Sequence, residues 1–370
     1  MTTAVELAVR ELPELAVEAR DGATGPLRVA TWSGSDGQAA AWDAFVERHP
    51  HATSDHWWGW RRVLQEAFGF ASHYLTAVES GMVRGVLPLF VVPRGFGRSA
   101  LVSIPFGNYG GVCAETVAAE DALVRAAERL LQEVGGDYME LHQRASMTHP
   151  LLQPAPHRYS RFVVPLTGDP RDYLRHIGAN NRKKLNQAER RGMTTELSRD
   201  VGPLYAIHLD TTRRLGTPCF PWRYFELILE VFGERADILF AVQHGWRLAY
   251  DVRLCFKRSM VIQLGGYLAA HGNSHANDWL AWQMAQEACA RGQHELDFCR
   301  NRIDSGSAQF KRRLHMTETP LPYQYHRPGG GEAPARHPGN PKYRWAIRLW
   351  RYCPLRLTAW WGPAVVRYLA

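Results

Sequence analysis

The clearest indication of the fold is the stretch ADILFAVQHGWRLAYDVRLCFKRSMVIQLGGYLAA, residues 236–270. It holds three apolar runs with the alternation of β-strands, separated by turns at His244-Gly245 and near Lys257. A helical pattern, NDWLAWQMAQEACARG, and a short apolar run, HELDF, follow directly. Three successive strands, a helix and a further strand predict an α/β (α+β) domain with a mainly antiparallel sheet.

The segments before this stretch extend the same pattern. RFVVPLTGD (161–169) predicts a strand, and a long helix is predicted from Asp169-Pro170 to Gly192, followed by a strand and two more helices. The first half of the chain has a similar order, with paired strands around ESGM (79–82). This shared order of elements predicts a duplicated architecture. We expect a leader at 1–26, an N-terminal domain at 27–157, a C-terminal domain at 158–327 and a basic amphipathic tail at 328–370.

The composition is that of a globular protein, and 370 residues favour two domains. Eight Lys or Arg and one acid lie between Arg327 and Ala370, so this segment holds seven of the eight net positive charges. A general nucleic-acid-binding surface on the body is therefore not indicated. The six cysteines form no CxxC pair, which favours reduced thiols and a cytoplasmic location. We expect neither a signal peptide nor a membrane-spanning helix.

Several long pieces of the chain stand in a recognisable order: LPLFVV, LVSIPFGNYGGV, RRLGTPCFPWRYFELIL, LGGYLAA with NDWLAWQMAQEACARG, DFCR with FKRRL, and NPKYRWAIRLWRYCPLRLTAWWGPAVVRYLA. In this order they resemble the FemAB family, and most closely the FemAB-like proteins associated with exosortase/PEP-CTERM and exopolysaccharide loci. The resemblance covers about Trp42 to Ala370. It implies two tandem GNAT-like acyltransferase domains.

This chain departs from the family pattern in three places. Cys299-Arg300-Asn301-Arg302 stands where the family tends to have Gly-Arg-Ser-Lys, and Ser305-Gly306-Ser307 stands where Gly-Thr-Gly is expected. Asn180-Asn181-Arg182-Lys183-Lys184 replaces a Pro-Arg-Lys-x-Arg run. Positively charged residues are largely kept in these places, but some of the family's glycines are replaced by other residues.

The stretch DFCRNRIDSGSAQFKRRLHM (297–316) is the first candidate site, which we expect to form a polar loop after a strand. The resemblance implies that Phe310 and Lys311 contact a phosphorylated substrate and the reacting carbonyl, where a lysine stabilises the oxyanion. The other candidates here are donors for phosphate oxygens: Arg300, Arg302, Ser305 and Ser307. The alternative is a solvated turn before an edge strand.

Further candidates for ligand binding lie outside this stretch. A basic helical cluster, Arg182, Lys183 and Lys184, is suited to a polyanion: a tRNA acceptor stem, a coenzyme pyrophosphate or a lipid-linked sugar phosphate. A plain charged helix surface is the alternative. Residues expected to line a pocket are Arg214, Tyr224, Asn108 and Tyr109, although aromatic residues are more often part of the core.

No nucleophile motif is present, and direct acyl transfer to an amine requires only a proton acceptor. Asp278 is the first candidate for this base, although a helix N-cap role competes with it, and Asp297 is the second. No spacing of His, Cys, Asp or Glu indicates a metal site, and we expect no tightly bound cofactor. AAHGNSHANDW does not fit the usual coenzyme A turn of GNAT domains, which counts against acetyl-CoA but does not exclude CoA bound in a different manner. Acyl-CoA and aminoacyl-tRNA therefore both stay open as co-substrates.

The sequence therefore predicts a cytoplasmic N-acyltransferase that moves an acyl or aminoacyl group onto an amine of a cell-envelope or exopolysaccharide precursor. Its expected partners are an anionic small-molecule or lipid-linked substrate and tRNA. A non-catalytic GNAT-like binding module in envelope assembly is the alternative function.

The tail is predicted to place arginines and tryptophans side by side on a helix over 342–352, which suits the inner face of an anionic membrane. The alternative is that the tail packs on the body and hides its tryptophans.

Overall fold

The computed structural model describes residues 15–16, 25–331 and 344–370, and these form two β-sheets covered by helices. Most of the predicted leader therefore lies outside the described residues. The exception is Leu15–Ala16, which pairs with the first strand of the body as a short antiparallel strand.

The first sheet has nine strands, in the order β1-β2-β3-β4-β5-β7-β16-β8, with β6 paired to β4. Its strands are β1 Leu15–Ala16, β2 Arg28–Trp32, β3 Ala71–Glu79, β4 Met82–Gly95, β5 Arg98–Val102, β6 Cys113–Ala114, β7 Met139–Leu141, β8 Gln153–Pro154 and β16 Gln324–His326. All pairs are antiparallel except β5 with β7.

The second sheet has seven strands in the order β10-β11-β12-β13-β14-β9-β15. These are β9 Tyr159–Pro165, β10 Met193–Ser198, β11 Ala236–Gln243, β12 Trp246–Phe256, β13 Ser259–Tyr267, β14 Glu295–Arg302 and β15 Thr317–Pro320. The three strands predicted within 236–270 are confirmed as β11, β12 and β13. Only β13 and β14 are parallel, because a helix connects them.

Ten α-helices lie in the described ranges: α1 Asp36–Arg48, α2 Trp60–Phe68, α3 Val117–Glu133, α4 Pro170–Arg190, α5 Val201–Leu215, α6 Trp222–Phe232, α7 Ala276–Ala290, α8 Gly306–Arg313, α9 Arg344–Tyr352 and α10 Leu355–Val366. The long helix α4 begins as predicted, because the Asp169 side chain caps it and Pro170 occupies its first turn. It is kinked at Gly178, whose φ of 75° breaks the helical path.

Thr53 caps a short 3-10 turn over Ser54–His56, and α2 begins only at Trp60. One local prediction is wrong. The stretch after Arg302 was expected to be a loop or turn, but Gly306–Arg313 forms α8. The Ser305 hydroxyl accepts the Ala308 N–H and so starts this helix.

The two halves share one apolar core. The Phe232 ring of α6 lies 5.3 Å from the Trp57 ring and 4.9 Å from the Trp60 ring of the first half. Phe68 likewise packs against Tyr224, at 5.4 Å. These aromatic contacts fix how the second sheet sits relative to the first.

The strand β16 crosses between the halves. It follows the last strand of the second sheet in the chain, yet it pairs with β7 and β8 of the first sheet. The domain limits expected from the sequence stay a prediction. Residues 324–326 fall within the predicted C-terminal domain, yet they form a strand of the first sheet.

Candidate functional site

A gap opens between β13 and β14. The two strands pair in parallel only from Ser259 with Glu295 to Val261 with Asp297, and both continue beyond this point. The register of β14 also shifts between Asp297 and Arg300. Cys299 lies in this bulge with φ of 57°, the left-handed region that favours glycine. This explains why glycine is expected at that position.

A loop of the first half closes one part of this gap. The Asn108 side chain donates to Gln263 Oε1 on β13 at 3.3 Å and accepts the backbone N–H of Arg300 on β14 at 3.3 Å. Asn108 is buried, so the amide links the two diverging strands inside the molecule. Its expected role in ligand binding stays a prediction, and its described contacts join the two halves.

Tyr109 and Asp297 form a buried hydrogen bond in the same region. The Tyr109 hydroxyl donates to Asp297 Oδ1 at 2.9 Å, and Arg161 Nε donates to Oδ2 at 2.8 Å. The backbone N–H of Cys299 adds a third donor at 2.8 Å. Burial, followed by the nearby Asp297 carboxylate, holds the pKa of Tyr109 well above its usual value. Both oxygens of Asp297 are therefore engaged by protein groups.

The loop that carries Asn108 and Tyr109 is anchored by Asp55. Their two backbone N–H groups donate to Asp55 Oδ2, at 2.6 and 2.7 Å. Its other oxygen, Oδ1, is buried with no hydrogen-bond partner among the described residues. Burial raises the pKa of Asp55, and the two backbone donors oppose that effect.

Lys311 is buried on α8 and lies beside the gap. Its ammonium donates to the backbone oxygen of Phe298, and the Phe298 and Phe162 rings lie 5.5 and 5.7 Å from its nitrogen. Burial lowers the pKa of Lys311 to about 8, although the nearby acidic groups Cys299, Asp297 and Asp251 act in the opposite direction. The lysine is thus desolvated, and its pKa lies closer to neutral pH than that of an exposed lysine.

Asp251 of β12 is the carboxylate that sequence reasoning missed. Burial raises its pKa to about 7, while the positive charges of Lys311 and Arg253 oppose the rise. It stands opposite Gly265 in the register of β12 and β13, and its Oδ1 occupies the space that a Cβ at Gly265 would need. Gly265 itself is exposed, so the carboxylate lies next to solvent-accessible backbone.

The one sequence feature that could have indicated Asp251 is the pair Gly265 and Gly266, which is distant in the sequence and lies on the adjacent strand. Gly265 and Gly266 interrupt a largely apolar strand, and a glycine in a strand often marks close approach by another group. At Gly266 the close neighbour is the Tyr250 ring, and at Gly265 it is Asp251.

Arg300 lies between two tyrosines. Its guanidinium is 5.0 Å from the Tyr159 ring and 5.9 Å from the Tyr323 ring, and it donates to the Tyr323 hydroxyl at 3.5 Å. The Tyr323 hydroxyl in turn donates to the backbone oxygen of Asn108. Arg300 therefore sits on the same interdomain network as the loop, and its contact with phosphate stays a prediction.

The other predicted residues of the 297–316 stretch have local partners. Arg302 forms an ion pair with Asp304 at 2.6 Å, and the Ser305 hydroxyl donates to the Arg302 backbone oxygen as well as capping α8. Ser307 is exposed in the first turn of α8. Phe310 packs against the core of the second half.

A second polar group lies where α4 meets α7. Lys184 Nζ is 3.9 Å from Asp278 Oδ1 and donates to the Asn181 side chain at 2.9 Å, whereas Arg182 and Lys183 are exposed. The N-cap interpretation of Asp278 is wrong, because His275 holds that position and Asp278 lies inside the first turn of α7. Burial raises the pKa of Asp278, and Lys184 opposes the rise.

Arg214 and Tyr224, predicted to line a pocket, lie in different surroundings. The Arg214 guanidinium stacks over the Tyr267 ring at 4.4 Å, at the end of β13. Tyr224 is buried in the shared core, where its hydroxyl forms a hydrogen bond with the Gln263 side chain. Gln263 therefore connects Tyr224 to Asn108 beneath the gap.

The gap between β13 and β14 lies in a segment of the chain that matches a known protein family. Residues 175–312 match the family described as "Acetyltransferase (GNAT) domain". This segment includes β13, β14, Asp251 and Lys311. The chain has a tandem GNAT-like fold. The predicted fold class is thereby confirmed.

Three solved structures are similar across most of the chain. FemX has a TM-score of 0.63 at 12% identity, over 80% of this chain and 97% of that chain. The C-terminal domain (DUF2156) of a putative lysylphosphatidylglycerol synthetase from Agrobacterium fabrum has a TM-score of 0.52 at 13% identity, over 78% and 91%. L-PGS from Bacillus licheniformis has a TM-score of 0.51 at 13% identity, over 73% and 91%.

At these identities the likeness concerns the fold alone. The similarity to FemX agrees with the predicted FemAB resemblance at that coarse level, and the exosortase association stays a prediction. The search of curated proteins finds no sequence match.

Proposed function

We propose that the protein is an N-acyltransferase whose reaction takes place at the gap between β13 and β14. The observation that carries the proposal is the pair Asp251 and Lys311. Burial raises the pKa of the carboxyl to about 7 and lowers that of the ammonium to about 8. Such opposed shifts beside an opening are typical of a catalytic acid–base pair.

In this reaction, the amine nitrogen of the acceptor attacks the carbonyl carbon of an ester or thioester donor. Lys311, as an ammonium, stabilises the negative charge that develops on the carbonyl oxygen. Asp251, as a carboxylate, accepts the proton that the attacking nitrogen loses. The tetrahedral intermediate then expels the alcohol or thiol of the donor, which takes up a proton as it leaves.

Asp251 suits the role of base better than Asp297 or Asp278. Asp297 accepts hydrogen bonds from Tyr109, Arg161 and a backbone N–H, and these donors hold its oxygens away from a substrate proton. Asp278 belongs to the separate group beside Lys184. Asp251 keeps an oxygen directly over the exposed Gly265.

The acceptor that we propose is an amine of a cell-envelope or exopolysaccharide precursor in the cytoplasm. The fold is shared with FemX and with the C-terminal domain of a putative lysylphosphatidylglycerol synthetase, and this likeness supports an envelope acceptor. Arg300 and the Arg182, Lys183 and Lys184 cluster would attract an anionic donor or acceptor. Acyl-CoA and aminoacyl-tRNA are the two donor classes to be compared.

A transfer assay with matched variants tests the proposal. The purified full chain is given acetyl-CoA or charged tRNA together with nucleotide-linked and lipid-linked amino sugars, and the acceptor mass is measured. Lys311→Met, which keeps the buried volume, and Lys311→Ala should each lower the rate at least about ten-fold, because one oxyanion donor is worth roughly 3 kcal/mol. Arg312→Met is the control, since Arg312 is exposed and paired with Glu318.

Wild-type transfer rates in both Lys311 variants would rule out its catalytic role. An envelope precursor that binds the chain tightly without any transfer would favour the non-catalytic binding module instead.

A further inference from the structure

The two C-terminal helices are fixed to the body by one face only. Thr358, Gly362 and Val366, spaced four residues apart on α10, are buried. The Cys219 thiol donates to the Thr358 backbone oxygen at 3.3 Å, and Gly362 packs directly on Cys219. The expectation that the tail packs on the body therefore holds for this face.

The exposed side of α10 is mainly apolar. It carries Leu357, Trp360, Trp361, Ala364 and Val365, and Tyr368 is exposed just after the end of the helix. Trp360 is 73% exposed. Packing on the body leaves this face uncovered, contrary to the expectation that it hides the tryptophans, and soluble monomers rarely expose such a surface.

Helix α9 continues this surface. Trp345, Leu349 and Tyr352 lie on one exposed face, with Trp345 70% and Tyr352 77% exposed. Its other side rests on the end of α5, where Ile347 contacts Gly216 and Arg351 donates to the Leu215 backbone oxygen at 3.4 Å. The two helices thus present adjoining apolar faces while the body holds their inner sides.

The charged side chains of this C-terminal segment are all positive. Residues 344–370 contain five arginines and no acid: Arg344, Arg348, Arg351, Arg356 and Arg367. Arg348 and Arg356 are exposed. A basic apolar surface of this kind is complementary to anionic lipid headgroups, with aromatic rings at headgroup depth.

A hairpin of the first half adds to this surface. Phe96 at the β4–β5 turn is fully exposed, and it lies between Arg94 and Arg98 in the sequence. The Arg94 guanidinium donates to the backbone oxygen of Ala370, which brings the hairpin next to the end of the tail. Two separate parts of the chain therefore place exposed aromatic and basic residues in one region.

We infer that α9 and α10, together with the Phe96 hairpin, dock the protein on a bilayer surface that contains anionic lipid. The helices lie in the plane of the interface, and their tryptophans insert among the headgroups. None of the helices in the described ranges is both long and apolar enough to cross a membrane. The inference is independent of the acyl-transfer proposal, because it uses none of the residues at the gap.

Vesicle flotation with the full chain tests this docking surface. The vesicles are either phosphatidylcholine alone or equal parts phosphatidylcholine and phosphatidylglycerol. We expect binding to the anionic vesicles only, weakened by added salt. The double variants Trp360→Ser with Trp361→Ser, and Arg348→Glu with Arg356→Glu, should each lower the partition coefficient at least about ten-fold.

Trp246→Ser is the matched control. Trp246 is 72% exposed, as Trp360 is, but it lies at the start of β12 in the second sheet. Its loss should leave both binding and thermal stability unchanged. Unaltered binding in the double tryptophan variant, or equal binding to neutral vesicles, would overturn the inference. So would a wild-type chain that sediments as a dimer and a double tryptophan variant that is monomeric, because a second copy would then cover this face.

Discussion

Burial raises the pKa of Asp251 and lowers the pKa of Lys311, so that the two values lie close together. The proposed reaction needs Asp251 ionised, which holds above about pH 7, and Lys311 protonated, which holds below about pH 8. We therefore expect a bell-shaped pH profile of kcat/KM, rising through pH 7 and falling above pH 8. The measurement is the rate of transfer to the acceptor across pH 5 to 10 at fixed ionic strength.

The two limbs can be assigned by substitution. Asp251→Asn should lower the rate and remove the acidic limb, while Lys311→Arg should extend the basic limb, because arginine stays protonated. An acidic limb that persists in Asp251→Asn would assign the base to another group.

Cys299 occupies a backbone conformation that suits glycine. A side chain there costs about 1–2 kcal/mol, but the thiol is also buried and contributes to packing. We expect Cys299→Gly to change the free energy of unfolding by less than about 1 kcal/mol, because the two effects offset each other. Cys299→Val should lower it by about 2 kcal/mol or more, because a β-branched side chain fits this region poorly.

Denaturant unfolding of both variants measures these differences. Cys289→Val, in the ordinary backbone of α7, provides the control and should cost well under 1 kcal/mol. Similar losses for Val at both positions would show that the backbone at Cys299 is not strained.

In strand β13, Gly265 leaves room for the Asp251 side chain of the adjacent strand. Gly265→Ala would place a methyl group where Asp251 Oδ1 now lies, so the carboxylate must move. We expect this variant to stay folded, since Gly265 is exposed and has an ordinary φ, but to lose at least about ten-fold in transfer rate. Gly37→Ala is the matched control, since Gly37 is an exposed residue of α1 where a Cβ meets no neighbouring atom. A Gly265→Ala enzyme with wild-type kcat would separate Asp251 from the chemistry.

Most strands and helices could be predicted from the sequence, because apolar spacing and capping residues determine them locally. The helix from Asp169-Pro170 and the strands within 236–270 are examples. Helix α8 was missed because its polar residues, including the Ser305 cap, equally suit a turn. Asp251 was missed because it alternates with apolar neighbours like any strand residue, and only the distant Gly265 makes room for it. Register across strands is a tertiary property that one sequence does not reveal.

In the folded chain the two halves are interlocked, because each contributes residues to the structure of the other. The Asn108 loop of the first half bridges two strands of the second, and β16 returns to the first sheet after the second is complete. Tyr323, just before β16, donates to the Asn108 backbone oxygen and stacks on His142 at 4.4 Å. Neither half could thus unfold without exposing polar groups of the other.

This interlocking predicts a single cooperative thermal transition for the full chain, with a calorimetric enthalpy equal to the van't Hoff enthalpy. The double variant Asn108→Ala with Tyr323→Ala removes the bridge and the contact beside β16. We expect its transition to split or to broaden, because each half can then lose structure without the other. Arg302→Ala is the control, since its described ion pair is with the nearby Asp304. Two separate transitions in the wild-type chain would show that the shared aromatic core and the bridging loop do not couple the halves.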